Sequence, residues 1–135
     1  MPTIDFRAQV AYLADLLHRL VGAEPIPFAD VVPSVLPPKP GVYRIFETGL
    51  PHDTVYLGQS DSLRARLYGS HLMGNVSAST LKKKLLRQGR YPDTSAVKGY
   101  LRHDCSLQYL IVDAAVERVR LEHFAIAVLK PWFND

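Results

Sequence analysis

Cysteine is almost absent from this chain. Cys105 stands alone, which excludes an internal disulfide and any zinc site built from several thiolates. In its strand-like setting it reads as a small buried hydrophobe. Long apolar runs are missing too: none approaches the roughly 20 residues that span a bilayer. The N-terminus lacks the basic-then-apolar order of a secretory signal, so the expected location is cytoplasmic, with no membrane partner. Net charge is only +3 over 135 residues, with 47% hydrophobic and 21% charged residues. These proportions fit one soluble domain large enough for a proper core with an appendage.

The charge is small but uneven. Residues 1–30 hold Arg7 and Arg19 against Asp5, Asp15, Glu24 and Asp30, so the excess of positive charge lies further along. Between 81 and 102 stand Lys82, Lys83, Lys84, Arg87, Arg90, Lys98 and Arg102 against Asp93 alone. Such a cluster attracts a polyanion and makes binding salt-sensitive, unless it is simply the solvated face of a helix.

The apolar spacing of Phe6, Val10, Leu13, Leu17 and Leu20 predicts an amphipathic helix over about 4–21, stopped by Gly22. Six prolines between Pro25 and Pro40 then predict a stiff, extended linker. The expected organisation is an N-terminal helix and proline-rich linker over 1–39 and a second module over 40–135. That module opens with strands at 42–46 and 54–57, joined by a turn-rich stretch. A helix capped by Ser60, Asp61 or Ser62 runs to about 72. Helices over 80–88 and 94–102 follow, then a buried strand over 106–112 and a last helix over 114–129, ended by Pro131.

Two triplets stand out: Gly41-Val42-Tyr43 and Tyr56-Leu57-Gly58. Each lies in a predicted strand, so a hairpin would present both phenols to one face. Strand tyrosines are commonly packed for area; here they precede Arg66, Glu122 and Asn134. The guanidinium of Arg66 flanks the core-facing stripe of its helix and suits a pair of phosphate oxygens, where it would offset charge growing in a transition state. A surface ion pair is the alternative. Glu122 sits among Val116, Val119, Leu121, Phe124, Ile126 and Leu129, where a carboxylate is costly unless paired or metal-bound. Arg118 offers an ordinary ion-pair partner. As a lone carboxylate Glu122 suits one Mg2+ or Mn2+ that keeps its waters, with no second acid spaced for a two-metal clamp. Asn134 either docks through Pro131, Trp132 and Phe133 or frays. His123 reads as a satisfied core residue.

The triplets together with Arg66, ten positions after Tyr56, Glu122, and Asn134, twelve beyond it, resemble the GIY-YIG nuclease family over about residues 40–134. The resemblance implies an α+β fold, a small three-stranded sheet flanked by helices, here with an N-terminal helical extension. It implies a metal-dependent endonuclease in which one tyrosine orients or deprotonates water and the other helps hold the site. Tyr43 is the preferred activating group and Tyr56 its partner. Gln59 stands where many relatives carry lysine, and Ser70 where many carry tyrosine or histidine. His71, one residue further and about 140° around an α-helix from Arg66, is a candidate base or phosphate ligand; the alternative is a surface histidine.

Gly58, Gln59, Arg64, Lys82, Lys83, Lys84 and Arg87 are the expected substrate contacts, the cations tracking a phosphate backbone. No helix resembles a major-groove reader, which argues against strong sequence specificity. DNA is favoured over RNA by analogy with the family alone. Two other functions fit the same residues: a nucleic-acid-binding module with little hydrolysis, and a scaffold subunit whose N-terminal helix pairs with a second copy or recruits a protein partner.

Overall fold

The computed structural model describes residues 3–73 and 79–134. It is an α+β structure built on an antiparallel sheet with strand order β1-β4-β2-β3. The strands are β1 Ile26–Pro27, β2 Gly41–Glu47, β3 Tyr56–Ser60 and β4 Cys105–Ile111. Around them pack α1 Arg7–Val21, a π-helix at Arg64–Leu72, α2 Thr80–Arg87, α3 Thr94–Asp104 and α4 Ala115–Leu129. Among the described residues no helix is long and apolar enough to cross a membrane.

The sheet has four strands, not the three expected. The fourth is β1, where Ile26 pairs with Leu107 and Pro27 with Ser106. Two residues with a proline carry no alternation to read, and an edge strand is where a proline is tolerated. The proline-rich stretch is also more than a spacer: Phe28, Val31 and Leu36 are fully buried in the core. Its backbone carbonyls receive the first N–H groups of the π-helix turn, Leu63 N–H to Lys39 O at 2.9 Å and Arg64 N–H to Pro37 O at 3.2 Å. Those donors have no partner inside a helix.

Alternation along the central strand β2 divides the core. Tyr43 and Ile45 join one cluster with Leu63, Leu67, Leu81 and Leu101, while Val42 joins Leu57, Leu121, Ala125 and four leucines of α1 on the other face. The N-terminal helix therefore caps the sheet beside α4. Its buried side is Leu13, Leu16, Leu17 and Leu20; Phe6 and Val10, expected on that stripe, are exposed. Cys105 is buried at the head of β4, and burial pushes its thiol up to about 12.

Arg44 is the core's largest polar commitment. Its guanidinium donates to Thr54 Oγ1 (2.8 Å), Gln108 Oε1 (2.8 Å) and the carbonyls of Pro51 (2.6 Å) and Asp53 (3.0 Å), fixing the β2–β3 connection. Gln108 in turn donates to the carbonyls of Val21 and Ala23 at the end of α1, each at 2.8 Å. Arg44→Ala leaves buried acceptors without donors and is expected to cost about 3 kcal/mol. Urea denaturation checks this; an unchanged midpoint contradicts it.

Candidate active site

The hairpin register brings the triplets together: Tyr43 lies opposite Gly58, and Ile45 opposite Tyr56. Residues two apart on a strand share a face, so both phenols stand on the π-helix side of the sheet. Their rings stack at 6.3 Å between centroids with 29° between planes. Gly58 makes this possible, because a Cβ there would fall on the Tyr43 hydroxyl. Gly58→Ala must displace a buried phenol and is expected to lower stability by about 1–3 kcal/mol. Denaturation measures the loss, and wild-type stability would contradict the packing described.

His71 is not the surface residue its α-helical phase indicates. It is 1% exposed, and its Nε2 lies 2.6 Å from the Tyr43 hydroxyl. Its ring stands edge-on to both tyrosines, at 5.5 Å from Tyr43 and 5.4 Å from Tyr56. The π-helix is the reason. Its i→i+5 bonding, seen in Met73 N–H to Tyr68 O at 2.9 Å, brings residues five apart onto one side. Arg66 and His71 are five apart, so the widened turn aligns what an α-helix would separate. Ser70 Oγ donates to the Ala65 carbonyl, again five back, at 3.4 Å.

Electrostatics tie these groups together. Burial lowers the His71 pKa to about 3, with Arg66 and Lys82 adding to the effect, so the imidazole is neutral at physiological pH. Burial likewise holds the Tyr43 phenol well above its ordinary value, reinforced by Tyr56, while Arg66 draws it partly back down. The cation is in range, yet burial wins. This sets Tyr43 against the water-activating role expected for it.

Glu122 approaches from α4 around the edge strand β3. Its pKa is raised, first by burial; His123 and a hydrogen bond with the Gln59 backbone oppose the rise. It opens into a cleft of about 390 Å³ lined by Tyr56, Thr80, Lys84, Glu122, His123 and Asn134, with Ile126 and Ala127. Arg118, the expected ion-pair partner, is buried and donates instead to Gln59 Oε1 (3.2 Å) and the carbonyls of Val112 (3.2 Å) and Asp113 (2.8 Å). Gln59 thus serves the framework through both its side chain and its backbone. His123, expected in the core, is exposed at the rim of the cleft.

Asn134 is docked. Its side-chain amide imitates a neighbouring strand, with Oδ1 accepting from Leu57 N–H at 2.8 Å and Nδ2 donating to Leu57 O at 2.7 Å. Trp132 N–H to Thr54 O and Phe133 N–H to Val55 O continue the tie at 2.9 and 3.0 Å. The exposed edge of β3 is thereby closed beside the cleft, a protection that edges generally need.

The basic residues have separate fates. Lys82 does not face solvent: it is 1% exposed, and its Nζ donates to the Leu72 carbonyl at the end of the π-helix at 2.9 Å. About 100° of rotation per residue leaves Lys83 exposed and turns Lys84 into the cleft. Arg87 is exposed, and Arg64 is half-buried with Nε donating to Leu36 O at 2.9 Å. Lys84 lies with the site, while Lys82 and Arg64 hold the scaffold. Thr80 and His123 are polar cleft residues not expected at the site: nothing in the spacing links Thr80 to Glu122, and His123, adjacent to Glu122, was assigned to the core from its apolar neighbours.

No protein-family model and no curated protein matches the chain. Solved structures do. The magnesium-bound GIY-YIG N-terminal endonuclease domain of UvrC from Thermotoga maritima aligns at a TM-score of 0.51 and 23% identity, covering 76% of this chain and 91% of that one. The fold is that of a GIY-YIG endonuclease domain. Two tyrosine-to-phenylalanine point mutants of that UvrC domain, also bound to the catalytic divalent cation, align at the same TM-score of 0.51, with 23% and 22% identity over 76% of this chain. The GIY-YIG fold places the two-tyrosine hairpin beside the π-helix and brings α4 against β3, the two approaches that converge on the cleft.

Proposed function

We propose that this protein is a metal-dependent endonuclease that hydrolyses phosphodiester bonds in nucleic acid, with DNA favoured ahead of RNA. One observation carries the reading: Glu122, a half-buried carboxylate whose pKa burial raises, opens into a cleft that also holds a phenol, an ammonium and an amide. A purely binding module has no need of a desolvated carboxylate at its centre, since a carboxylate repels phosphate.

The donor set fits a hard divalent cation. Among the described residues there is no group of three or more His, Cys, Asp or Glu side chains that could hold a metal, so a closed protein cage of the zinc type does not fit. A single carboxylate facing an open cleft suits Mg2+ or Mn2+, which bind through one or two carboxylates and complete their shells with water and substrate phosphate. Glu122 would hold the ion, which when bound supplies positive charge to the phosphate and the departing oxygen.

The chain's own groups account for the rest. Tyr56, the tyrosine that reaches the cleft, orients the attacking water and, as its phenolate, takes the proton that the water loses. Water forms the new bond to phosphorus as the bond to the departing oxygen breaks, and that oxygen takes a proton from a solvent water. Lys84 in the cleft and Arg66 beside the tyrosines offset negative charge on the phosphate. Lys83 and Arg87 extend the positive surface along α2 for the strand to follow.

The test is incubation with plasmid, single-stranded DNA and RNA, with Mg2+ or Mn2+ and with chelator, beside Arg66→Ala. Metal-dependent cutting, lost in chelator and strongly reduced in Arg66→Ala, is the expected result. Binding without cutting on every substrate would overturn the nuclease assignment in favour of a binding module.

A further inference from the structure

Ser79 sits at the N-terminus of α2, and its hydroxyl has two partners among the described residues. As helix cap it accepts from Lys82 N–H at 3.2 Å, and it lies 2.7 Å from Nδ1 of His71. His71 Nε2 is 2.6 Å from the Tyr43 hydroxyl. All three side chains are buried, at 1%, 1% and 2% exposure. A continuous chain of hydrogen bonds thus runs from the lysine-bearing helix, through an imidazole, to the tyrosine pair.

We propose that Ser79 is a positioning residue for this site: by accepting the Nδ1 proton of His71, it fixes the tautomer whose bare Nε2 receives the Tyr43 hydroxyl proton. The inference rests on the nuclease reading for its consequence in catalysis, and on the hydrogen bonds alone for the tautomer.

Donor and acceptor strength gives the direction. A neutral imidazole has one N–H and one bare nitrogen. Among the described residues the Tyr43 hydroxyl has Nε2 as its hydrogen-bond partner, and the Ser79 hydroxyl has Nδ1 and Lys82 N–H. Either tautomer leaves one of the two hydroxyl protons without an acceptor among these groups, so the count alone does not choose. A phenol is a far stronger acid than an alkyl hydroxyl and so the better donor to a bare ring nitrogen, while the alkyl hydroxyl oxygen is the better acceptor of a ring N–H. With Nδ1 protonated, the phenol donates to Nε2 and Nδ1–H donates to Ser79 Oγ, whose two lone pairs are enough for both Nδ1–H and Lys82 N–H. The neutrality of His71 at physiological pH keeps this pattern in force.

The consequence lies with the tyrosines. The Tyr43 proton is committed inward, so its oxygen can only accept from any other group that approaches. The imidazole, held at both nitrogens, keeps its edge against Tyr56 and so fixes the phenol that faces the cleft. Because Ser79 begins the helix that carries Lys84, the same residue ties the position of the cleft ammonium to that of the tyrosines.

Glycine is nearly as good an N-cap as serine but offers nothing to Nδ1, so Ser79→Gly separates the two roles. Two-bond 1H–15N correlation spectra of histidine-labelled protein distinguish a protonated from a bare ring nitrogen. The wild type is expected to show His71 protonated at Nδ1 and bare at Nε2. Ser79→Gly is expected to lose that single tautomer and to lower kcat about 10–100-fold, as loss of a group that orients a functional residue commonly does, with KM little changed. A wild-type spectrum with Nε2 protonated, or an unchanged tautomer in Ser79→Gly, overturns the inference. A wild type that shows the expected tautomer but cuts nothing overturns the nuclease reading instead, and with it the catalytic role of Ser79, while the hydrogen-bond direction stands.

Discussion

Replacing Glu122 with glutamine is expected to lower metal-dependent cleavage by about 10²–10³-fold or more, the usual cost of removing one preorganised charge-handling group, while leaving the protein folded. The two halves of this expectation have the same cause. The carboxylate is held in a partly buried setting that raises its pKa, so the native protein binds a proton there more tightly than the unfolded chain does. In the metal-free protein its stabilising contribution is therefore complete below the unfolded value of about 4.3 and is lost as pH rises through the raised native value. Above that window the charged group opposes folding, and the neutral amide removes the opposition. Glu122→Gln should be at least as stable as wild type at pH 7 without metal, and should lose any stabilisation that Mg2+ gives the wild type. Thermal denaturation with and without Mg2+, beside single-turnover cleavage, separates these effects. A variant that is both inactive and unstable would place Glu122 in the framework instead of the chemistry.

The two tyrosines should separate as sharply. Tyr56→Phe removes the hydroxyl of the phenol that lines the cleft, and is expected to slow cleavage by about 10²-fold or more, the range for a group that handles a proton in the transition state. Tyr43→Phe removes a hydroxyl that touches His71 inside the core. It should cost about 1–3 kcal/mol of stability, because Nε2 is left buried and unpaired. Its effect on rate should be the smaller of the two. Cleavage rates and urea denaturation on both variants check the division. Equal loss of rate with no loss of stability in Tyr43→Phe would return the activating role to Tyr43.

The family resemblance named the tyrosine pair, Arg66, Glu122 and Asn134 as candidates, and strand alternation, a local property, already put both phenols on one face; the structure lines one cleft with Tyr56, Glu122 and Asn134 and stacks Tyr43 on Tyr56. The helices from α2 onward also lie close to their expected bounds. The missing pieces depended on other kinds of information. His71 was misplaced because 3.6-residue phasing does not hold in a π-helix, and nothing in Arg64–Leu72 announces i→i+5 bonding before the chain is folded. Lys82 looked like one of three equivalent lysines, yet the carbonyl it reaches, Leu72, lies ten residues back on another helix. His123 was assigned to the core from its apolar neighbours, whereas α4 covers the sheet with Leu121 and Ala125 and leaves Val116, Val119 and His123 outward. The proline-rich stretch read as a spacer because prolines obscure the pattern that Phe28, Val31 and Leu36 complete only against the sheet.

Single-turnover cleavage measured against Mg2+ concentration, for wild type and Glu122→Gln side by side, tests the central claim most directly. The wild-type rate is predicted to be zero in chelator and to rise hyperbolically with Mg2+, as one ion requires, while Glu122→Gln stays near the floor at every concentration. Cleavage that persists in chelator, survives in Glu122→Gln, or depends on the second power of Mg2+ would contradict a one-metal site built on Glu122.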